Sequence, residues 1–285
     1  MRFVLIAGPD ERETDSQLET ACATRGLPFV KVVPGAAGKL DLGRAEERRL
    51  IYRTGVTLSC ITVEKLLFRV GDAVLHDPFF HYANQPLIFQ MAGLPRPRTV
   101  YVPDPDTAAL ARQVEGLGGF PVVVKIPGTE GGKGVSLAHD LETLACSIRD
   151  AAALPGLEAY FPHERCWRAT VLGGRMLSAT ARVAAADDFR SNGPGSGIID
   201  CGPAPTGVAE IAIRAAHVLR LDFGGADILE AADGSLRISE FNFPCYFADQ
   251  QEKSGIDIAG AMVDHLMTMP AHPTAARWDA EFKPG

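Results

Sequence analysis

The chain has 285 residues, 46% of them hydrophobic and 22% charged, enough to bury a sizeable core in two or three compact lobes and too apolar for disorder on a large scale. A formal net charge of −7 without a dense Lys/Arg run excludes the footprint of a nucleic-acid binder and favours a small, charged substrate. Six scattered cysteines (Cys22, Cys60, Cys146, Cys166, Cys201 and Cys245) without a C-x-x-C pair read as reduced thiols and argue against structural zinc. The first apolar run ends at Gly8-Pro9-Asp10, too soon for a signal peptide, and no later run reaches the roughly 18 residues of a membrane span, so a soluble, cytoplasmic protein without a membrane partner is expected.

In chain order, residues 1–8 read as a buried strand, 15–25 as a helix broken by Gly26-Leu27-Pro28, and 29–33 as a second β-branched strand, the start of a βαβ unit. The polar stretch 43–49 and the apolar runs 56–63 and 73–75 continue this alternating lobe, assigned as a domain over 1–84. A helix over 85–92 ends at Gly93-Leu94-Pro95, followed by a strand at 99–102, a helix over 104–115 and the strongly β-prone run 122–126. Two hairpins are expected: 167–172 with 175–183 across Gly173-Gly174, and 226–230 with 236–241 across Asp233-Gly234. Helices over 208–219 and 258–267 complete the pattern, with domain boundaries at 85–158 and 159–285 and a loosely held tail beyond Pro270.

The second hairpin carries the sharpest inference. If Asp233-Gly234 is a two-residue turn, facing residues have numbers summing to 467, which sets Asp227 directly opposite Glu240, with Asn242 on the same side as Glu240. Opposed carboxylates repel unless a cation sits between them, and an all-oxygen set favours Mg²⁺ or Mn²⁺ over zinc. Taken alone, two acids on a solvated face beside a surface turn would give the same pattern.

The segment from Val122 to Val135 ends a buried strand with Lys125 and continues through Gly128, Gly131, Gly132, Lys133 and Gly134. A strand-ending lysine can meet phosphate oxygens, and glycines let backbone N–H groups approach them. Pro127 and Gly134 occupy positions where a Walker loop needs Gly and Ser or Thr, so this is a different cradle, or a plain hairpin connection. Arg168, Arg182 and Arg190 stand in an alanine- and glycine-rich region, where they are either surface residues or stabilisers of developing phosphoryl charge.

Read in order, these pieces resemble the ATP-grasp superfamily and, within it, the RimK-like carboxylate–amine ligases. The resemblance runs from about residue 85 to 266. It rests on Gly93-Leu94-Pro95-Arg96-Pro97, the lysine and glycine segment, Trp167-Arg168, Asp188-Phe189-Arg190-Ser191-Asn192, Ala226-Asp227-Ile228-Leu229-Glu230, Ser239-Glu240-Phe241-Asn242 and Ser254-Gly255-Ile256-Asp257. It implies α+β lobes in an ATP-grasp fold behind an N-terminal Rossmann-like pre-ATP-grasp domain. By the same resemblance ATP lies between two lobes, with Lys125 on its phosphates, the glycine loop as a lid, and adenine near Glu158, Tyr160 and Phe161. Asp227, Glu240 and Asn242 would hold two Mg²⁺ ions, and Arg182 and Arg190 would face the transferred γ-phosphoryl. Arg168, Asn192 and Cys245 are candidates for substrate contact. The implied reaction joins a carboxylate to an amine through an acylphosphate, releasing ADP and phosphate, in a homo-oligomer.

The chain departs from that pattern at His81-Tyr82, where the family has Asp-Lys, at Cys166, where an aspartate is common, and at Phe243-Pro244-Cys245-Tyr246-Phe247, where the ribosomal ligases have Ser-Pro-Gly. The last departure places the acceptor pocket in doubt, and Cys245 there reads either as pocket-lining or as a buried structural thiol. Two rival readings are a small-molecule kinase on the same fold and a nucleotide-binding partner without catalysis.

Overall fold

The computed structural model describes residues 1–10, 12–35, 47–68, 73–76, 78, 85–101, 106–126, 134–149, 155–191, 193, 195–199 and 203–270. Among these residues the strands form three sheets. Gly128, Gly131, Gly132, Lys133, Asn192 and Tyr82 lie outside the described residues.

The first sheet is parallel. β1 (Arg2–Ile6) pairs with β2 (Phe29–Val32) on one side and β3 (Arg49–Arg53) on the other, and β3 pairs with β4 (Ala73–Val74). Helices α1 (Glu13–Thr24) and α2 (Leu58–Phe68) make the crossovers. The apolar run expected at 56–63 is thus the start of a helix, and the short strand β3 is an addition that its flanking arginines concealed. Its arginine Arg53 is buried because Glu64 of α2 meets it at 2.7 Å.

Helix α3 (Gln85–Met91) follows the first sheet, and strand β5 (Thr99–Tyr101) opens the second. α4 (Thr107–Leu117) starts where Asp106 accepts a bond from the Ala109 N–H and stops at Gly118, whose φ of 106° suits a residue without Cβ. Strands β6 (Val122–Lys125) and β7 (Val135–Ala138), helix α5 (Leu141–Arg149) and β8 (Gly156–Ala159) complete an antiparallel sheet ordered β5-β8-β6-β7. β6 and β7 form a hairpin around the glycine segment, and Ile126 N–H donates to the Gly134 carbonyl at its base.

The third sheet is antiparallel, ordered β11-β10-β9-β12-β13. β9 (Arg165–Leu172) and β10 (Arg175–Val183) join across Gly173-Gly174, both at positive φ as a two-residue hairpin turn requires. The remaining elements are β11 (Gly197–Ile199), α6 (Thr206–Val218), β12 (Phe223–Glu230), β13 (Leu236–Asn242), α7 (Ala248–Ser254) and α8 (Ile258–Thr268). Gln85, at the start of α3, donates to the Phe241 carbonyl and accepts from its N–H, and the Pro95 carbonyl accepts from the Ile238 N–H, so the outer edge of β13 is partly covered.

The second expected hairpin forms, with a different turn. The ladder closes between Ala231 and Ser235, and pairs from Glu230↔Leu236 to Ile228↔Ile238 sum to 466, not 467. A bulge then inserts Ser239, after which Asp227 faces Glu240 as expected. The expected two-residue turn at Asp233-Gly234 is therefore replaced by a three-residue loop, while Asp227 and Glu240 do face each other.

Packing ties the first and third sheets together. Phe3, Leu5 and Tyr52 share one buried core with Phe223, Phe247 and Met262, and Tyr52 meets Phe223 edge-on at 5.7 Å. A second core lies between α6 and the five-stranded sheet, around Trp167, Ile228, Ile238 and Phe241, and it also takes in Phe89 and Leu94. Among the described residues no helix is long and apolar enough to cross a membrane.

Candidate functional site

A cleft of about 840 Å³, counting its open mouth, lies between the β5-β8-β6-β7 sheet and the five-stranded sheet. Lys125 and Glu158 line one wall, Arg168, Arg182, Asp227, Ser239 and Glu240 the other, and Tyr160, Phe161 and Arg190 also border it. The strands deliver these groups by alternation. Asp227 on β12 stands beside Arg168 on β9 and opposite Glu240 on β13, so all three project on one face of the sheet. The bulge matters here, because Ile238 and Phe241 both enter the core although three residues apart, leaving Ser239 and Glu240 together on the cleft side.

Arg168 clamps Asp227 with two charge-assisted bonds, one from Nε and one from Nη2 to Oδ2 at 2.8 Å. The Asn242 amide donates to Asp227 Oδ2 at 3.2 Å and to Glu240 Oε1 at 3.3 Å. Burial raises the Asp227 carboxyl, but Arg168, with smaller contributions from Glu240 and Arg182, more than offsets this and leaves it below its ordinary value. Glu240 behaves oppositely: burial, then the neighbouring Asp227 charge, push it up to about 7, against partial relief from Lys125. One acid is thus balanced by a protein cation and the other is left needing one. Two carboxylates and an amide, with one of the carboxylates under-neutralised, fit a hard divalent cation.

Across the cleft, Lys125 Nζ lies 2.7 Å from Glu158 Oε2 and 3.2 Å from Ser239 Oγ. Glu158 is therefore a charge partner of Lys125 as well as a cleft-lining residue. Arg190 is held by Asp188, with Nη2 at 2.8 Å from Oδ2, and Arg182 Nη2 lies 3.6 Å from the exposed Asp249. Gly134 sits at the hairpin base beside the cleft-lining Val135. Cys245 is fully buried, outside the residues that line the cleft, and Tyr52 brackets its backbone with bonds of 3.2 Å. Cys166 does line the cleft, its thiol pushed well up by burial and by Asp227.

Three participants escape the sequence argument. Ser239 reaches Lys125 only because of the bulge, for which the odd spacing of Ile238 and Phe241 is the visible signal. Arg96 meets Glu158 at 2.8 Å across 62 positions, which no local pattern encodes. His163 connects the Phe161 carbonyl (2.9 Å) to Ser191 Oγ (3.1 Å), joining the Tyr160–Phe161 segment to the Arg190 segment.

Two sheets facing each other over a cleft that pairs a lysine with an acid–amide cluster define an ATP-grasp architecture, and solved structures share it. ATP-grasp ligase PsnB complexed with minimal precursor, Mg and ADP superposes with a TM-score of 0.69 at 19% identity, covering 93% of this chain and 96% of that one. Macrocyclase MdnC bound with precursor peptide MdnA from Microcystis aeruginosa MRC gives a TM-score of 0.70 at 13% identity, covering 94% and 100%. Residues 87–266 match the RimK-like ATP-grasp domain, and the chain belongs to that family. Ribosomal protein bS6–L-glutamate ligase of Salmonella paratyphi B is 34% identical over 187 residues, which span 64% of this chain and 61% of that relative's length.

Proposed function

We propose that the chain is an ATP-dependent carboxylate–amine ligase that forms an amide through an acylphosphate and releases ADP and phosphate. The observation that carries this reading is the meeting, in one cleft, of Lys125 with Asp227 and Glu240, the two acids to which the Asn242 amide is bonded. The PsnB complex, which contains Mg and ADP, supports the same ligands here. The ribosomal-protein ligase and the peptide-bound macrocyclase support a peptide or protein as one substrate.

In this reading Asp227, Glu240 and Asn242 hold Mg²⁺ or Mn²⁺. The metal, when bound, neutralises charge on the triphosphate and on the oxygens that develop charge during transfer. Lys125 binds the phosphates with its ammonium, and Tyr160 and Phe161 flank the base. Arg182 and Arg190, the latter oriented by Asp188, donate to the γ-phosphoryl as it passes to the substrate carboxylate. The amine then attacks the activated carbonyl carbon, an amide C–N bond forms, and phosphate leaves with the C–O bond electrons and takes up the proton that the amine nitrogen loses. Burial of the acids and of Arg168 supplies the low-dielectric setting in which these contacts count most.

The reading is tested by measuring ADP and phosphate over a panel of peptide carboxylates and amines with magnesium. ADP and phosphate that form only when both partners are present are expected. Phosphate retained on a single acceptor would make the chain a kinase instead, and tight MgATP binding without ADP release from any pair would make it a non-catalytic binder.

A further inference from the structure

The cleft lysine is one end of a charge relay whose other end is buried behind it. Arg96 lies in the turn between α3 and β5, its side chain only 5% exposed. Its Nη1 donates to the Pro86 carbonyl at 2.8 Å and to Tyr101 OH at 2.9 Å, while Nη2 donates to Thr99 Oγ1 at 2.6 Å. Nη2 also reaches Glu158 Oε1 at 2.8 Å, and the second oxygen of that carboxylate takes Lys125 at 2.7 Å. The Glu158 side chain is 5% exposed and that of Lys125 30%, so the anion is the buried member of the pair and the lysine the end that faces the cleft.

Two cations share one carboxylate, and the three formal charges sum to +1. That surplus decides how the cleft meets an anion. Were Lys125 the sole partner of Glu158, the two would close into a neutral pair, and pulling the lysine away would strand a buried carboxylate without a counter-charge. With Arg96 fixed on the other oxygen, Glu158 keeps a partner when Lys125 turns outward, and the net positive charge remains to attract phosphate.

We propose that Arg96 is a positioning residue: by holding Glu158, it keeps Lys125 available to the phosphates of a bound nucleotide. The inference rests on the nucleotide-binding part of the reading above and is independent of ligation.

The test is calorimetric binding of ADP and of adenosine, each with magnesium, to the full chain and three variants, taking the ratio of the two affinities. Arg96→Met should lower that ratio by about tenfold or more, because only the phosphate-bearing ligand uses the surplus charge. Arg96→Met/Glu158→Gln restores a net charge of +1 and frees the lysine, so its ratio should return to within about threefold of the parent. Glu158→Gln alone should keep the parent ratio or raise it, and this variant decides the matter if Arg96→Met does not fold.

An unchanged ratio in Arg96→Met, or a double variant as poor as the single one, would overturn the proposal, as would a lowered ratio in Glu158→Gln. A parent chain that binds no ADP would defeat the nucleotide reading itself and the inference with it. Parent binding of ADP with an unaffected Arg96→Met would defeat the inference alone.

Discussion

Asp227 and Glu240 face each other in the same ladder, yet their electrostatic surroundings differ enough to predict opposite responses to the same chemical change. Glu240→Gln removes a carboxylate that burial and Asp227 already penalise, so the metal-free protein should hold or raise its urea midpoint. The same variant should lose turnover, because the acid short of a protein cation is the one suited to metal. Asp227→Asn instead strands Arg168, whose side chain is 14% exposed, and should cost about 3–5 kcal/mol of stability in the same titration. Equal midpoints for the two variants would contradict this division of roles. The residue types were legible in the sequence, since Asp227, Glu240, Asn242 and Lys125 stand out as acids, amide and lysine on β-prone runs. The sharing of their charges with Arg168, Arg96 and Glu158 was not, because those contacts join residues brought together only by the fold.

At the scale of the element, the β12–β13 ladder shows how a correct pairing can follow from an incorrect turn. The longer loop lowers the register sum by one and the bulge at Ser239 restores it, so the two departures cancel at Asp227 and Glu240. Alternation alone would not have revealed the second departure, but the odd interval between two core residues, Ile238 and Phe241, does. The turn of hairpin β9–β10 was legible, because Gly173-Gly174 meets the positive φ demanded of a two-residue turn, but the register shift between Met176 and Ser178 was not. Strand β3 was not, as its arginines read as polar until Glu64 is placed beside Arg53. Close packing behind the acids gives a further prediction. A Cβ at Gly225 would lie 2.7 Å from Cys245 Sγ and 2.9 Å from Arg168 Cδ. Gly225→Ala should therefore press on the arginine that holds Asp227 and lower stability by about 1–3 kcal/mol, read from urea unfolding. A neutral result would show that Arg168 can shift freely.

Across the whole molecule, the parallel sheet and the five-stranded sheet share a core, so the segment preceding the family domain is packed into the same structure as the cleft. Glu64 helps secure that segment, with Arg53 at 2.7 Å and His76 at 3.4 Å, and His76 bridges to Leu221 just before β12. Burial pushes the Glu64 carboxyl up, while His76 and Arg53 together more than offset it and hold it below its ordinary value of 4.5. A depressed folded-state value means stabilisation that is present above 4.5 and lost as pH falls through the folded value. Glu64→Gln should therefore lower the urea midpoint near neutrality, and its gap from the parent should close on acidification below that value. A gap that widens in acid would contradict the assignment.

Activation of a carboxylate by ATP in this cleft is read out by replacing the amine with hydroxylamine over the same panel of peptide carboxylates. A hydroxamate formed in step with ADP, dependent on magnesium and absent in Glu240→Gln, is expected. ADP formed without hydroxamate, with the phosphoryl group retained on the acceptor, would contradict it.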